Sequence, residues 1–134
     1  MFRSINQITG WIAGIAFVVV GMLGFTVSGG HHAAGMDGGK LLGLFQVNVL
    51  HNFVHLAVGI LLIVGAMGGV RSAKALNTLV GLVYLAVGIA GLFTLDSSVN
   101  VIALNGLDNT LHLVAGAALL VVGRFVDRPE VAHA

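Results

Sequence analysis

Asn48-Val49-Leu50-His51-Asn52-Phe53-Val54-His55-Leu56-Ala57-Val58-Gly59 places two imidazoles and two amides at the head of a long apolar run. The frame returns 57 positions later, without a gap, as Asn105-Gly106-Leu107-Asp108-Asn109-Thr110-Leu111-His112-Leu113-Val114-Ala115-Gly116. Each copy opens a stretch long enough to cross a bilayer, which takes about 20 mostly apolar residues. Amide, imidazole and carboxylate groups at membrane depth are costly, and they mark a functional site until shown otherwise.

The rest of the chain agrees with a membrane setting. Of 134 residues, 57% are hydrophobic and 8% charged, against about 25% charged in a soluble domain. Mean hydropathy is +1.04. Twenty glycines and one proline suit membrane helices that approach closely through small residues. A net charge of +1 gives no reason to expect a nucleic-acid partner. The absence of cysteine removes disulfides, thiolate nucleophiles, iron–sulfur clusters and Cys-type zinc sites. His and Asp remain as the strong metal ligands.

Four spans are expected, at about 8–27, 50–70, 76–95 and 107–126, within a single domain over 1–128 followed by a short tail, 129–134. The turn between the second and third, 71–75, makes those helices antiparallel neighbours. Arg3, Arg71, Lys74, Arg124 and Arg128 fall on one side and Lys40 on the other. The positive-inside rule then puts both termini in the cytoplasm, for a multi-pass protein of the plasma membrane, with Trp11 near the inner interface. A cleaved signal peptide is the competing reading of the first span, although its apolar run is longer than a usual signal core.

Spans one and three also match. Gly21-x-x-Gly24 corresponds to Gly88-x-x-Gly91, and Asn6-x-x-x-Gly10 loosely to Asn77-x-x-x-Gly81. The expected fold is therefore an all-α membrane bundle built from a duplicated two-helix hairpin. The glycines repeat at 67 and the polar frame at 57, so residues 31–40, with His31 and His32, look inserted into the first outer loop. Tandem hairpins of equal topology are related by an axis along the membrane normal. Spans two and four then face each other, with Gly59 and Gly116 easing their approach.

On a helix, Asn48, Asn52, His55 and Gly59 share one stripe with His51 at its edge. Asn105, Asn109, His112 and Gly116 repeat it with Asp108 at the edge. In one reading this is an interhelical hydrogen-bonded layer of Asn48, Asn52, Asn105 and Asn109, with Asn105 and Asp108 capping a helix start. In a second, His51, His55, Asp108 and His112 hold a metal ion, since imidazoles four residues apart share a face, and Asn52 and Asn109 support the ligands. In a third, His55 and His112 ligate a haem. Lipid or quinone binding and proton handling are further options. His31 and His32 are expected in a solvated loop, and Tyr84 in span three is expected to pack with its hydroxyl partnered.

There is no GxSxG, Walker loop or HExxH, and only five acidic residues. No enzyme is expected. The expected role is an accessory or structural subunit in the lipid bilayer, packing against larger membrane proteins or itself, with metal or haem binding as the alternative and the cofactor left open.

The run Leu42-Gly43-Leu44-Phe45-Gln46-Val47-Asn48-Val49-Leu50-His51-Asn52-Phe53-Val54-His55-Leu56-Ala57-Val58-Gly59 resembles an uncharacterised family of small four-span bacterial membrane proteins, common in actinobacteria and known as a domain of unknown function. The resemblance runs from Asn6 to about Val122. It implies a topology and no activity, substrate or cofactor.

Overall fold

The computed structural model describes residues 4–127. Arg3, Arg128, His133 and the 129–134 tail lie outside the described residues. Four helices carry the fold: α1 (Ile5–Ser28), α2 (Val49–Met67), α3 (Val70–Thr94) and α4 (Gly106–Phe125). All four are long and apolar enough to cross a membrane. Large apolar side chains such as Ile12, Met22, Leu92 and Phe93 point outward, as lipid-facing residues do.

Glycine decides which helices pack. α1 lies along α2, and α3 along α4; contact between the two pairs is shallower. A Cβ on Gly14 would sit 2.8 Å from the Gly59 carbonyl oxygen, and one on Gly81 would sit 2.9 Å from that of Gly116. Gly21 meets Leu56 and Gly88 meets Leu113. Gly24 abuts the Asn52 carboxamide, and Gly91 that of Asn109. Gly59 and Gly116 thus face α1 and α3. The expectation that they bring α2 and α4 together is corrected: backbones approach inside each pair, because there a missing side chain lies over the partner's main chain. Between the pairs, Leu62, Val80, Tyr84 and Leu119 form the buried core.

The α2–α3 turn is tighter than expected. It consists of Gly68 and Gly69, with Gly69 at φ 97°, a conformation glycine adopts without a Cβ penalty. Arg71 and Lys74 therefore lie in α3 rather than in a loop.

The expected inserted loop is folded. Strands β1 (Gly39–Leu41) and β2 (Phe45–Val47) pair antiparallel, with Leu41 opposite Phe45. Leu42 and Gly43 both have positive φ, at 54° and 74°, as a type I′ turn requires. The loop is pinned to the α3–α4 connection, where Gly35 N–H donates to the Val101 carbonyl at 2.8 Å. Within that connection, Asn100 donates to the Leu95 and Leu104 carbonyls and accepts from Leu104 N–H. The two loops form one cover over the end of the bundle, the hairpin end.

The opposite, terminal end is closed by amides. Asn6 is fully buried; it donates to the Val122 and Val126 carbonyls and to Asp127. Asn77 donates to the Asn6 carbonyl and to Asn6 Oδ1, each at 3.0 Å. The two residues matched loosely in sequence thus touch each other. Lys74 Nζ donates to the Val126 carbonyl.

Candidate metal centre

The polar frame enters the structure through its first residues, Asn48 and Asn105. Each is the N-cap of its helix. Asn48 Oδ1 accepts from His51 N–H at 2.9 Å, and Asn105 Oδ1 from Asp108 N–H at 3.0 Å, satisfying donors that a helix start leaves free. Their amide groups face the loops. Asn48 Nδ2 donates to the Gly35 and Val101 carbonyls, and Asn105 Nδ2 to the Leu44 carbonyl. Each cap therefore fixes both a helix start and the cover above it.

Asn52 and Asn109 turn toward the neighbouring helix of their own pair. Asn52 Nδ2 donates to Ser28 Oγ, and Asn109 Nδ2 to the Gly88 carbonyl, each at 3.0 Å. Neither is hydrogen-bonded to an imidazole.

The remaining side chains of the two frames meet between α2 and α4. His51, His55 and His112 are buried, and each offers a ring nitrogen within 4.8 Å of those of the other two. Ring centroids are 4.4 Å apart for His51–His55, 5.7 Å for His51–His112 and 6.1 Å for His55–His112. Asp108, 3% exposed, completes the group. Its Oδ2 lies 3.5 Å from His51 Nε2, and its Oδ1 lies 3.7 Å from His112 Nδ1.

Hydrogen bonds to the main chain choose the tautomers. His51 Nδ1 is 2.8 Å from the Ile102 carbonyl oxygen, and His112 Nδ1 is 2.9 Å from that of Asp108. A carbonyl oxygen only accepts, so in both rings Nδ1 carries the proton. In the neutral ring Nε2 is then a bare lone pair. His51 Nε2, His55 Nδ1 and Asp108 Oδ2 are all buried without a hydrogen-bond partner.

Tyr84 of α3 belongs to the same group. Its ring stacks on His112 at 4.8 Å, tilted by 16°, and meets Phe17 of α1 at 5.1 Å. Its hydroxyl, expected to find a partner, is buried without one. Beside the rings lies a cavity of about 180 Å³ that His55, Tyr84, Asp108 and His112 border. His31 and His32 stand elsewhere: both are exposed, and His31 Nδ1 pairs with Asp37 Oδ2 at 3.1 Å.

Sequence reasoning found the three histidines and the aspartate through their doubled spacing. It missed the Ile102 carbonyl, Phe17, and the hairpin side chains Leu41, Phe45 and Val47 that border the cavity. The local signal for the hairpin was slight: Gly43, a residue that turns favour, with no turn dipeptide around it.

The sequence pattern of a family described as a domain of unknown function, DUF4383, matches residues 7–125. The chain belongs to the DUF4383 family. In this DUF4383 chain the matched stretch contains all four membrane helices apart from the first residues of α1, together with every residue of the histidine cluster. No curated protein and no solved structure matches the chain.

Proposed function

We propose that this small helical membrane protein holds one divalent transition-metal ion between α2 and α4, with His51, His55 and His112 as imidazole ligands and Asp108 as the fourth. One observation carries the reading. His51 Nε2 and Asp108 Oδ2 face each other at 3.5 Å, both buried and both without a partner, while the proton of His51 is committed to Ile102. Two acceptors in that position repel unless a proton or a metal ion lies between them. A proton on Asp108 would satisfy that one contact, as a neutral acid donating to Nε2, but would leave the buried His55 Nδ1 without a partner. A metal ion satisfies all the open lone pairs at once.

The donor set suits this ion. Neutral imidazoles with one carboxylate fit zinc and neighbouring divalent ions. Nδ1–H bonds to main-chain carbonyls are the arrangement that orients metal-binding histidines. Zinc–nitrogen bonds near 2.05 Å imply nitrogens about 3.4 Å apart in a tetrahedron. The separations of up to 4.8 Å then close by small ring rotations. Haem is disfavoured: His51 and Tyr84 occupy the space beside His55 and His112 that a flat macrocycle needs.

The ion has a non-enzymatic role in this reading, holding the two helix pairs together where their backbones do not pack. An accessory role beside larger membrane proteins is compatible with it. So are an origin by tandem duplication, supported by contacts recurring at the 67 and 57 offsets, and cytoplasmic termini, supported by the distribution of Lys and Arg.

The test is elemental analysis of detergent-purified protein carrying no His-tag. About one ion per chain is expected, lost when His51 and His112 are both replaced by Ala. Protein that stays metal-free after incubation with zinc, iron, manganese and copper overturns the reading.

A further inference from the structure

The histidine cluster is sealed. His51, His55, Asp108 and His112 are all buried, so an ion bound among them has to pass one of the walls. Toward the terminal end lies the apolar core of Leu62, Val80 and Leu119. Around the cluster stand the four helices. The cavity between α1 and α4 has almost wholly apolar walls and a rim of exposed Leu42 and Leu111. A divalent charge does not cross apolar surroundings of that kind. What remains is the cover of folded loops at the hairpin end.

Few contacts close that cover, and they lead straight to the ligands. Gly35 N–H donates to the Val101 carbonyl, and Asn48 Nδ2 donates to the Gly35 and Val101 carbonyls. One residue on, the Ile102 carbonyl holds His51 Nδ1–H at 2.8 Å. Ala103 follows, fully buried with φ 54°, a left-handed conformation that costs an alanine energy. It rests on Gly38 of the hairpin loop. A Cβ at Gly38 would stand 3.0 Å from Ala103 Cβ and 2.6 Å from the Val47 carbonyl oxygen. The seam between the loops is thus a strained residue seated on a glycine, next to the acceptor that sets the His51 ring. Strain in the closed seam lowers the cost of opening it.

We propose that this seam is a gate. A divalent cation enters and leaves the cluster from the aqueous side when the two loops part, and withdrawal of the Ile102 carbonyl frees His51 in the same movement. The inference rests on the metal reading and adds its regulation: the loops set how fast the ion exchanges, and the four side chains set how tightly it is held.

The test is stopped-flow zinc exchange on the full, untagged chain in phosphatidylcholine nanodiscs. A chromogenic chelator reports uptake by the metal-free protein and release from the loaded one. Gly38→Ala overpacks the seam without touching a ligand. Exchange through a local opening scales with the open population, so uptake and release should both accelerate about tenfold while their ratio changes less than about threefold. Asn100→Ala, which removes the hydrogen bonds that Asn100 makes to Leu95 and Leu104, should act in the same direction. Leu111→Trp, at the rim of the lateral cavity, should change neither rate. In the unsubstituted chain, hydrogen exchange at the Gly35 and Leu104 amides should slow when zinc is bound. Cover variants that lose affinity with uptake unchanged make the cover a support and overturn the gate. So do rates that respond to Leu111→Trp alone, or loop amides indifferent to zinc. Stoichiometric zinc with rates blind to the cover removes only the gate; protein that takes up no zinc, Gly38→Ala included, removes the metal reading and the gate with it.

Discussion

A neutral imidazole has one N–H and one lone pair, so fixing the first fixes the second. His51 and His112 both spend the N–H on a main-chain carbonyl, which leaves Nε2 of each ring for a ligand. Asp108 has a different place. Its backbone carbonyl holds His112, and its carboxylate lies within 3.5 Å of His51. Asp108→Asn keeps the shape and removes the charge. Metal affinity should fall at least 10- to 100-fold, the range seen when even supporting partners of metal ligands are changed, as checked by competition with a chromogenic chelator. Unchanged affinity would remove Asp108 from the ligand set. At this scale the sequence was legible where a residue type carries the chemistry, as with His51, His55, Asp108 and His112. Tyr84 was read as a packing residue with a partnered hydroxyl, because nothing in its own helix points to a ring on α4.

Between elements, the contact that matters is glycine against carboxamide. Gly24 lies against Asn52 and Gly91 against Asn109, and each asparagine ties its helix to the partner by one hydrogen bond. A methyl group at either glycine pushes the carboxamide away or forces the helices apart. Gly24→Ala and Gly91→Ala should each destabilise by about 1–3 kcal/mol, the usual cost of overpacking, read as a lower unfolding midpoint in detergent. Gly29 and Gly106 have open space beside them, so Gly29→Ala should move the midpoint little. The spans were legible because four apolar runs have bilayer length. Their start and stop residues were less so: α3 begins at Val70 because Gly69, rather than the charged residues after it, makes the turn. Strands of three residues are too short for a period to register, so the β-hairpin went unseen. The facing of α2 and α4 was over-read, since two stripes on separate hairpins meet through side chains without the backbones touching.

For the molecule as a whole, the terminal end is closed by Asp127, just beyond α4. Its carboxylate accepts from the main-chain N–H groups of Ile5 and Asn6 and from the Asn6 side chain. It thus sits on the N-terminus of α1, where negative charge is favoured. Partial burial works against the charge, but the hydrogen bonds from Asn6, Ile5 and Ser4 outweigh it and hold the carboxyl below its usual range. The sign follows. An Asp with a depressed folded-state pKa contributes stability above its unfolded value, about 3.9, and loses it as pH falls through the folded value. Asp127→Asn should therefore lower the thermal midpoint at pH 7, and the gap from wild type should close as the pH falls below about 3.9. A gap that persists at pH 2 would assign the effect to shape rather than charge. The sequence foretold two helix pairs; it did not foretell that one end would be locked by amides and the other by folded loops, since both locks join residues far apart in the chain.

The Ile102 carbonyl that holds His51 belongs to a position and not to a side chain. Whatever residue stands at 102, proline included, brings the same oxygen, provided the loop keeps its path. The orientation of His51 is thus inherited with the course of the main chain, and side-chain replacement at 102 leaves that acceptor in place. Among divergent descendants of this chain, position 102 is free to drift while its contribution stays constant. Side chains that covary with His51 would never point to it.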